Sequence, residues 1–95
     1  MKVYTIDFSK CKTYQQFFEE IIKGMEFPDW CGENFDAIWD MLTWEIVPPA
    51  VIRIKGVNGL PKELEEKKDM LIEVFNDTHK WYKNSGMNVE IKIID

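Results

Sequence analysis

The order in which strand-like and helix-like segments alternate constrains this chain more than any other feature of its sequence. Three short segments, at residues 2–8, 50–54 and 87–93, are rich in β-branched and aromatic residues, as strands are. The segments between them carry apolar residues at helical spacing. Strands joined through helical crossovers pair in parallel, with right-handed connections. The sequence therefore predicts an α/β fold of order β-α-α-β-α-β, with a three-stranded parallel sheet packed against three to four helices.

The first helix is predicted from its cap and from one apolar stripe. Thr13 followed by Gln16 has the form of a capping box, and Gly24 stands where a glycine often follows the last helical turn. Six apolar residues form a stripe at helical spacing that we expect to pack in the core: Tyr14, Phe17, Phe18, Ile21, Ile22 and Met25.

The second half of the chain predicts a long helical region between two strands. Two prolines directly before residue 50 favour an extended backbone, and the mostly apolar residues 50–54 are typical of a buried parallel strand. Residues 62–83 carry a helical stripe, formed either by one helix or by a short helix and a longer one with a break near Lys67-Lys68. In the last strand, four apolar residues alternate with polar ones: Met87, Val89, Ile91 and Ile93.

Length and charge exclude several classes of function. With 95 residues and a formal net charge of −5, the chain predicts one domain spanning residues 1–95. Its negative charge disfavours direct binding of nucleic acid or of an anionic membrane. Without a membrane span or a signal-peptide pattern, we expect a cytoplasmic protein. Cys11 and Cys31 are expected to be free thiols, and no pattern indicates a metal or a cofactor.

The negative charge is concentrated in one segment. Between Lys23 and Arg53 the chain has six carboxylates and no basic residue, a formal charge of −6 against −5 for the whole protein. The remaining residues sum to +1. Uncompensated charge of one sign, with aromatic residues beside it, predicts a surface that binds a cationic partner.

Within this segment, residues 34–44 predict a short helix with two different faces. Asn34 is a candidate N-cap, since its side-chain oxygen can accept from the free N–H groups of the first turn. Four apolar residues share the face that we expect to pack in the core: Phe35, Ile38, Trp39 and Leu42. Three polar residues at positions i, i+4 and i+7 share an outward face: Asp36, Asp40 and Thr43. Trp39 lies at the border between the two faces.

Residues 28–43 resemble the barstar family, in which an aromatic turn and Gly-Glu-Asn lead into a helix that ends in Leu-Thr. Eight positions agree in type and spacing: Gly32, Glu33, Asn34, Asp36, Ala37, Trp39, Asp40 and Thr43. The resemblance extends across the chain, because the family shares the parallel three-stranded layout and a late Val-Phe helix, found here at Val74-Phe75. It implies a barstar-like fold and an intracellular inhibitor of a secreted, barnase-like ribonuclease.

In that family, the acidic helix and the loop before it cover the active site of the ribonuclease. Carried over by position, the resemblance implies that Asp40 is the main mimic of an RNA phosphate, with Asp36 as its partner one turn earlier. The other implied partner-binding residues are Trp30, Asn34, Trp39, Thr43, Trp44 and Asp77. We therefore expect a one-to-one complex with a basic, extracellular-type ribonuclease, a chain that is a monomer when free, and no catalytic residues.

Three positions depart from the family pattern. Cys31 replaces a second aromatic residue of the loop, and Trp44 stands where the family often has a glycine before a tryptophan. Asp77 is one methylene shorter than the usual glutamate. These departures leave the inhibitor class intact and the identity of the target ribonuclease open.

Two other functions fit part of the pattern. An inhibitor or adaptor for another basic protein, such as a toxin nuclease that is not of the barnase type, would use the same acidic surface. A carboxylate-dependent enzyme would use Asp36 and Asp40 as an acid/base pair or as Mg²⁺ ligands. Against the enzyme, the one histidine is distant in sequence, and no nucleophile–base or phosphate-loop pattern is present.

Overall fold

The computed structural model describes residues 1–94 and has the predicted order of elements. Six helices and strands give the order β-α-α-β-α-β: β1 (Lys2–Asp7), α1 (Tyr14–Gly24), α2 (Phe35–Trp44), β2 (Ala50–Lys55), α3 (Glu65–Asn84) and β3 (Val89–Ile93). Two single turns of 3₁₀-helix, Val57–Gly59 and Lys62–Leu64, connect β2 to α3. The α/β fold class is confirmed.

Strand β2 lies in the centre of the sheet and pairs in parallel with both β1 and β3. Tyr4, Ile52 and Ile91 are aligned across the three strands. Each helical connection therefore returns the chain to the next position in the sheet, as sequential strands usually do. The parallel sheet expected from helical crossovers is confirmed.

One face of the sheet lies against the core, and the other carries polar side chains. Ile52 and Ile54 are buried on the core side, whereas Arg53 is aligned with Thr5 and Lys92 in a row of exposed side chains on the opposite side. The expectation that β2 is a buried strand is therefore wrong for its second half. Its side chains alternate there between the core and water, as in a sheet that is covered on one face.

Helix α1 begins at the predicted cap. The Oγ1 of Thr13 accepts a hydrogen bond from the backbone N–H of Gln16 at 3.1 Å, which satisfies one of the free donors of the first turn. The side chain of Gln16 accepts from the N–H of Lys12 at 2.8 Å, one residue before the donor of a standard capping box. Of the apolar stripe, Phe17 and Phe18 are buried, whereas the Tyr14 ring is half exposed.

Gly24 has a different role from the one that its position predicts. It is the last residue of α1, and the left-handed conformation after the helix falls on Glu26, with φ of 60°. A Cβ on Gly24 would lie 2.5 Å from the carbonyl oxygen of Thr5. The glycine is therefore needed because α1 ends in direct contact with the backbone of β1.

Helix α3 and strand β3 differ from expectation at their boundaries. The break predicted near Lys67-Lys68 falls earlier, between the 3₁₀ turn Lys62–Leu64 and the helix that begins at Glu65. Met87 lies before β3 and is 44% exposed, because Gly86, with φ of 74°, turns the chain after the helix. No helix within residues 1–94 has the length and apolar character needed to span a membrane.

Candidate protein-binding surface

Helix α2 begins at Asn34, as the sequence predicts. The Oδ1 of Asn34 accepts from the N–H of Ala37 at 2.8 Å, and its backbone is extended (φ −154°, ψ 162°). Ile38 and Leu42 are fully buried and Trp39 is half-buried, so the two-faced helix is confirmed. The cap fixes where the helix starts, and the buried residues fix which side of it faces outward.

Two contacts hold α2 against the neighbouring helices. The ring of Phe35 packs edge-on against Phe18 of α1, with ring centroids 5.1 Å apart. The hydroxyl of Tyr82 on α3 donates a hydrogen bond to the backbone carbonyl of Leu42. Since Tyr82 is buried, this bond is shielded from competing water. The outward face of α2 is thus presented by a helix that is held from two sides.

The carboxylates of α2 have no cationic neighbour. Asp36 and Asp40 are exposed, and the one ion pair among residues 1–94 joins Lys2 to Glu26, with a nitrogen–oxygen distance of 3.0 Å. Asp36 lies in the first turn, where the helix dipole favours negative charge, but the last turn contains no basic residue. The negative potential of this face is therefore available to a partner.

A shallow groove between α2 and α3 brings distant residues together. Its volume is about 300 Å³, and its walls combine carboxylates with apolar side chains: Phe35, Asp36, Trp39, Met70, Glu73, Val74 and Asp77. Asp77 thus lies beside Asp36 and Trp39, although it is on another helix. A groove lined by both apolar side chains and carboxylates matches a long cationic side chain, whose methylenes pack while its charge is paired.

Glu73 and Met70 also line the groove, but they are not among the partner-binding residues that the sequence predicts. Both line the same groove as Asp77, and Met70 is 40% exposed. A detectable signal was present, because residues 70, 73, 74 and 77 follow helical spacing along one side of α3. Residues one and two turns before Asp77 lie on the same side of α3, so both could have been predicted from the position of Asp77.

The other predicted residues do not line the groove. Asp40 and Thr43 lie further along α2, and Trp44 is its last residue, 83% exposed. Trp30 lies in the loop before α2 and is 74% exposed. Large apolar side chains with such exposure are typical of binding surfaces when they lie together. Of the eight predicted residues, Asp36, Trp39 and Asp77 line the groove and the remaining five lie outside it.

Two of these five residues, Thr43 and Asn34, also make hydrogen bonds to the backbone of α2. The Oγ1 of Thr43 lies 3.0 Å from the carbonyl oxygen of Asp40 and 3.2 Å from that of Trp39, so its proton is used inside the last turn. The Oδ1 of Asn34 is used by the cap. A partner would therefore meet the oxygen of Thr43 as an acceptor and the amide N–H groups of Asn34 as donors.

Both cysteines are buried free thiols, as expected. Burial raises the pKa of the Cys31 thiol, and burial likewise raises the pKa of Cys11. The side chain of Cys31 lies in the core instead of on the acidic surface, so desolvation is the cause. Neither thiol has the lowered pKa of a nucleophile.

The groove carboxylates do not form a metal site. Within residues 1–94, no three His, Cys, Asp or Glu side chains are grouped so that they could hold a metal ion. The arrangement instead presents separate carboxylates along the walls of an apolar slot. Such spacing suits several cationic groups of one partner better than a single ion.

Comparison with known proteins identifies the family. The sequence profile of the family described as Barstar (barnase inhibitor) matches residues 1–94. This chain belongs to the barstar family. A Bacillus subtilis (strain 168) protein named "Putative ribonuclease inhibitor YrdF" is 27% identical over 94 residues, which cover 99% of this chain and 98% of that protein. The resemblance found in the sequence is confirmed.

Membership in the barstar family supports a role as a ribonuclease inhibitor and implies binding to a ribonuclease partner. It also favours an inhibitor over an enzyme. In this chain, the groove carboxylates lie on α2 and α3, outside the core.

Proposed function

We propose that this chain inhibits a basic, barnase-like ribonuclease by covering its active site with the surface formed by α2, the loop before it and one side of α3. The observation that carries the proposal is the groove in which Asp36, Glu73 and Asp77 flank the half-buried Trp39. Carboxylates from two helices that are far apart in sequence lie together there.

The physical basis is mimicry of the phosphates of RNA. A ribonuclease active site holds Arg, Lys and His side chains that bind phosphate, and carboxylates can take the same positions through charge-assisted hydrogen bonds. Asp40 lies at the centre of the exposed face of α2, with Asp36 one turn before it and Thr43 one turn after. In this proposal, Asp40 occupies the main phosphate position, and the α2–α3 groove receives a neighbouring cationic side chain.

The apolar part of the surface supplies packing. Trp30 and Trp44 are the most exposed tryptophans of the chain and lie on either side of Asp40 along the sequence. Aromatic rings of this kind anchor interfaces and exclude water from the charged contacts beside them. Asn34 and Thr43 add a donor and an acceptor at the two ends of α2.

The uncompensated charge also predicts how the complex forms. Complementary fields accelerate encounter, and barnase with barstar is the familiar example of such steering. Exposed charges are screened beyond a Debye length of about 8 Å at 0.15 M salt. The association rate with the ribonuclease should therefore fall as salt rises. Acting in the cytoplasm, such an inhibitor would protect a cell against its own secreted nuclease.

The test is a titration of a barnase-type ribonuclease with the purified chain, using cleavage of RNA as the readout. We expect inhibition to be complete at one equivalent, with the chain itself cleaving no RNA. The double variant Asp36→Asn/Asp40→Asn should lose inhibition. A matched control, Glu63→Gln/Glu65→Gln, removes the same charge at two other exposed positions and should inhibit like the parent.

Equal loss in both double variants would mean that only net charge matters and would contradict the proposed surface. The chain could instead inhibit a nuclease of another type at one equivalent and leave barnase-type enzymes unaffected. That result would support the acidic surface and contradict the proposed target. Turnover of RNA by the chain alone would overturn the inhibitor proposal.

A further inference from the structure

The two edges of the sheet differ in how they are covered. At the β1 edge, a cavity of about 530 Å³ lies beside Val3, Thr5 and Asp7, but α1 ends against the backbone of the strand, since a Cβ on Gly24 would clash with the carbonyl oxygen of Thr5 at 2.5 Å. At the β3 edge, a cavity of about 270 Å³ runs along the strand beside Asn76 and His79 of α3. An uncovered edge strand is a template for pairing with another strand.

The hydrogen bonds to β2 show which backbone groups of β3 face outward. Ala50 donates to the carbonyl of Asn88 at 3.1 Å, and Ile94 donates to the carbonyl of Ile54 at 2.9 Å. In a parallel ladder every second residue bonds to the neighbouring strand, so residues 88, 90, 92 and 94 face β2. The N–H and C=O groups of Val89, Ile91 and Ile93 therefore point towards the open edge.

One of these outward groups already has a partner. Nδ1 of His79 lies 2.7 Å from the carbonyl oxygen of Val89, and because a carbonyl only accepts, Nδ1 donates. Within residues 1–94, the backbone groups of Ile91 and Ile93 have no partner on this side. Ile93 and Ile94 are also 44% and 45% exposed. The edge thus combines unpaired backbone groups with exposed apolar side chains.

The sequence of β3, Val-Glu-Ile-Lys-Ile, is chemically symmetric about Ile91. If two copies of this strand run antiparallel around a twofold axis at Ile91, each Ile91 lies opposite the other and Val89 lies opposite Ile93. Glu90 then lies opposite Lys92 twice. In this register the outward backbone groups of one strand meet those of the other, because all three residues are odd-numbered. The carbonyl oxygen of Val89, which already accepts from His79, has a second lone pair for the N–H of Ile93 in the other copy. Opposite charges facing each other across strands stabilise such a pair.

We propose that two copies of the chain associate through antiparallel pairing of their β3 strands, forming one continuous six-stranded sheet. The contact is isologous, with the same residues on both sides of a twofold axis. It is small, so association is weak and depends on concentration: the chain remains the expected monomer when dilute and dimerises as its concentration rises. The side of α3 that faces the β3 edge carries Asn76 and His79, whereas Glu73 and Asp77 lie on the side towards α2, so both copies keep their acidic groove accessible.

The charge pattern allows a test with matched variants of the full chain. In a symmetric pair, Glu90→Lys places lysines opposite each other, and Lys92→Glu places glutamates opposite each other. Sedimentation velocity at concentrations up to about 1 mM should show a dimer for the parent and at least about tenfold weaker association for each variant. An equimolar mixture of the two variants restores both opposite-charge pairs and should recover the dimer.

The double variant Glu90→Lys/Lys92→Glu has the net charge of the parent and should also dimerise. Circular dichroism and ribonuclease inhibition serve as controls for folding and should match the parent in all variants. A parent that stays monomeric over the whole range would overturn the proposal. So would a dimer unaffected by either single substitution, or two monomeric variants that fail to associate when mixed.

Discussion

Helices α1 and α2 are built alike on their buried sides and differently on their exposed sides. They have 11 and 10 residues, and each begins at a side-chain cap, Thr13 in one and Asn34 in the other. Both bury apolar residues in the same core, where Phe18 and Phe35 are in contact. In each helix the cap and the apolar stripe are explained by folding alone.

The exposed side of α1 is also adapted to folding, whereas that of α2 is not. Lys23 lies in the last turn of α1, where the dipole favours a cation. Helix α2 has no basic residue there and is followed by Glu45 at its C-cap, where the dipole disfavours negative charge. Asp36 and Asp40, one turn apart, repel each other by about 0.2–0.5 kcal/mol. We infer that the residues of α2 which folding does not explain are there for the partner.

The largest expected effect is on stability and concerns the buried side of α1. Phe17 is fully buried and stacks on Phe8, with ring centroids 5.1 Å apart. Replacing Phe17 by Ala should lower the free energy of unfolding by about 3–5 kcal/mol, measured by urea unfolding. The folded fraction should bind the ribonuclease with unchanged affinity. A loss of affinity per folded molecule would mean that α1 contributes to binding.

The next effect concerns α2, where we expect a substitution to weaken binding and leave stability unchanged. Asp40→Ala should cost at least about 2 kcal/mol of binding, as a central desolvated carboxylate does, and should leave the free energy of unfolding unchanged or slightly raised. Inhibition constants and urea unfolding measure the two quantities. The matched variant on α1, Glu19→Ala, removes an equally exposed carboxylate and should change neither. Similar binding losses in both variants would contradict the view that α2 binds the partner and α1 does not.

Trp30→Ala should have a smaller effect of another kind. The loss of ring packing should cost about 1 kcal/mol of binding. Because no charge is removed, the loss should be the same at low and high salt, whereas the loss in Asp40→Ala should shrink as salt rises. Binding measured at two ionic strengths tests this. A salt-dependent loss for Trp30→Ala would indicate that the ring acts by positioning charged groups.

The two caps provide the closest comparison. Thr13→Ala and Asn34→Ala should each lower the free energy of unfolding by about 1 kcal/mol, because each removes the acceptor of one backbone N–H. We expect only Asn34→Ala to weaken inhibition as well, since the cap uses only Oδ1 and leaves the amide N–H groups of this exposed residue as donors for a partner. Equal inhibition by both variants, after correction for stability, would limit Asn34 to capping.

The smallest effect is expected at Asp36. Its position in the first turn of α2 is favoured by the helix dipole, and this opposes its repulsion with Asp40. Asp36→Asn should therefore change the free energy of unfolding by less than about 0.5 kcal/mol in a urea titration. A larger destabilisation would show that this carboxylate serves the fold.

Features that depend on neighbouring residues in the sequence could be predicted. The caps at Thr13 and Asn34, the stripes of α1 and α2 and the parallel sheet all follow from spacing within single segments. The role of Gly24 could not, because it depends on how closely α1 approaches β1. Arg53 is exposed because the core covers only the opposite side of the sheet. The sequence of one strand does not show which sides of a sheet are covered.

The candidate site was predictable to a similar extent. The positions of α2 follow from its helical period, and Asp77 was identified through the family pattern instead of through any local signal. Glu73 was missed because its importance arises from the angle at which α3 meets α2. The burial of Cys31 could not be predicted from its acidic neighbours in sequence, because it depends on how the loop before α2 packs against the core.

The two buried thiols can report local opening of the structure. Cys11 lies just before α1 and Cys31 just before α2, and burial has raised the pKa of both. An alkylating reagent reacts with thiolates, so labelling must wait until each segment opens. The rate at which each cysteine is modified, resolved by mass spectrometry of peptides, would report separately how often the structure opens ahead of each helix, without any introduced probe.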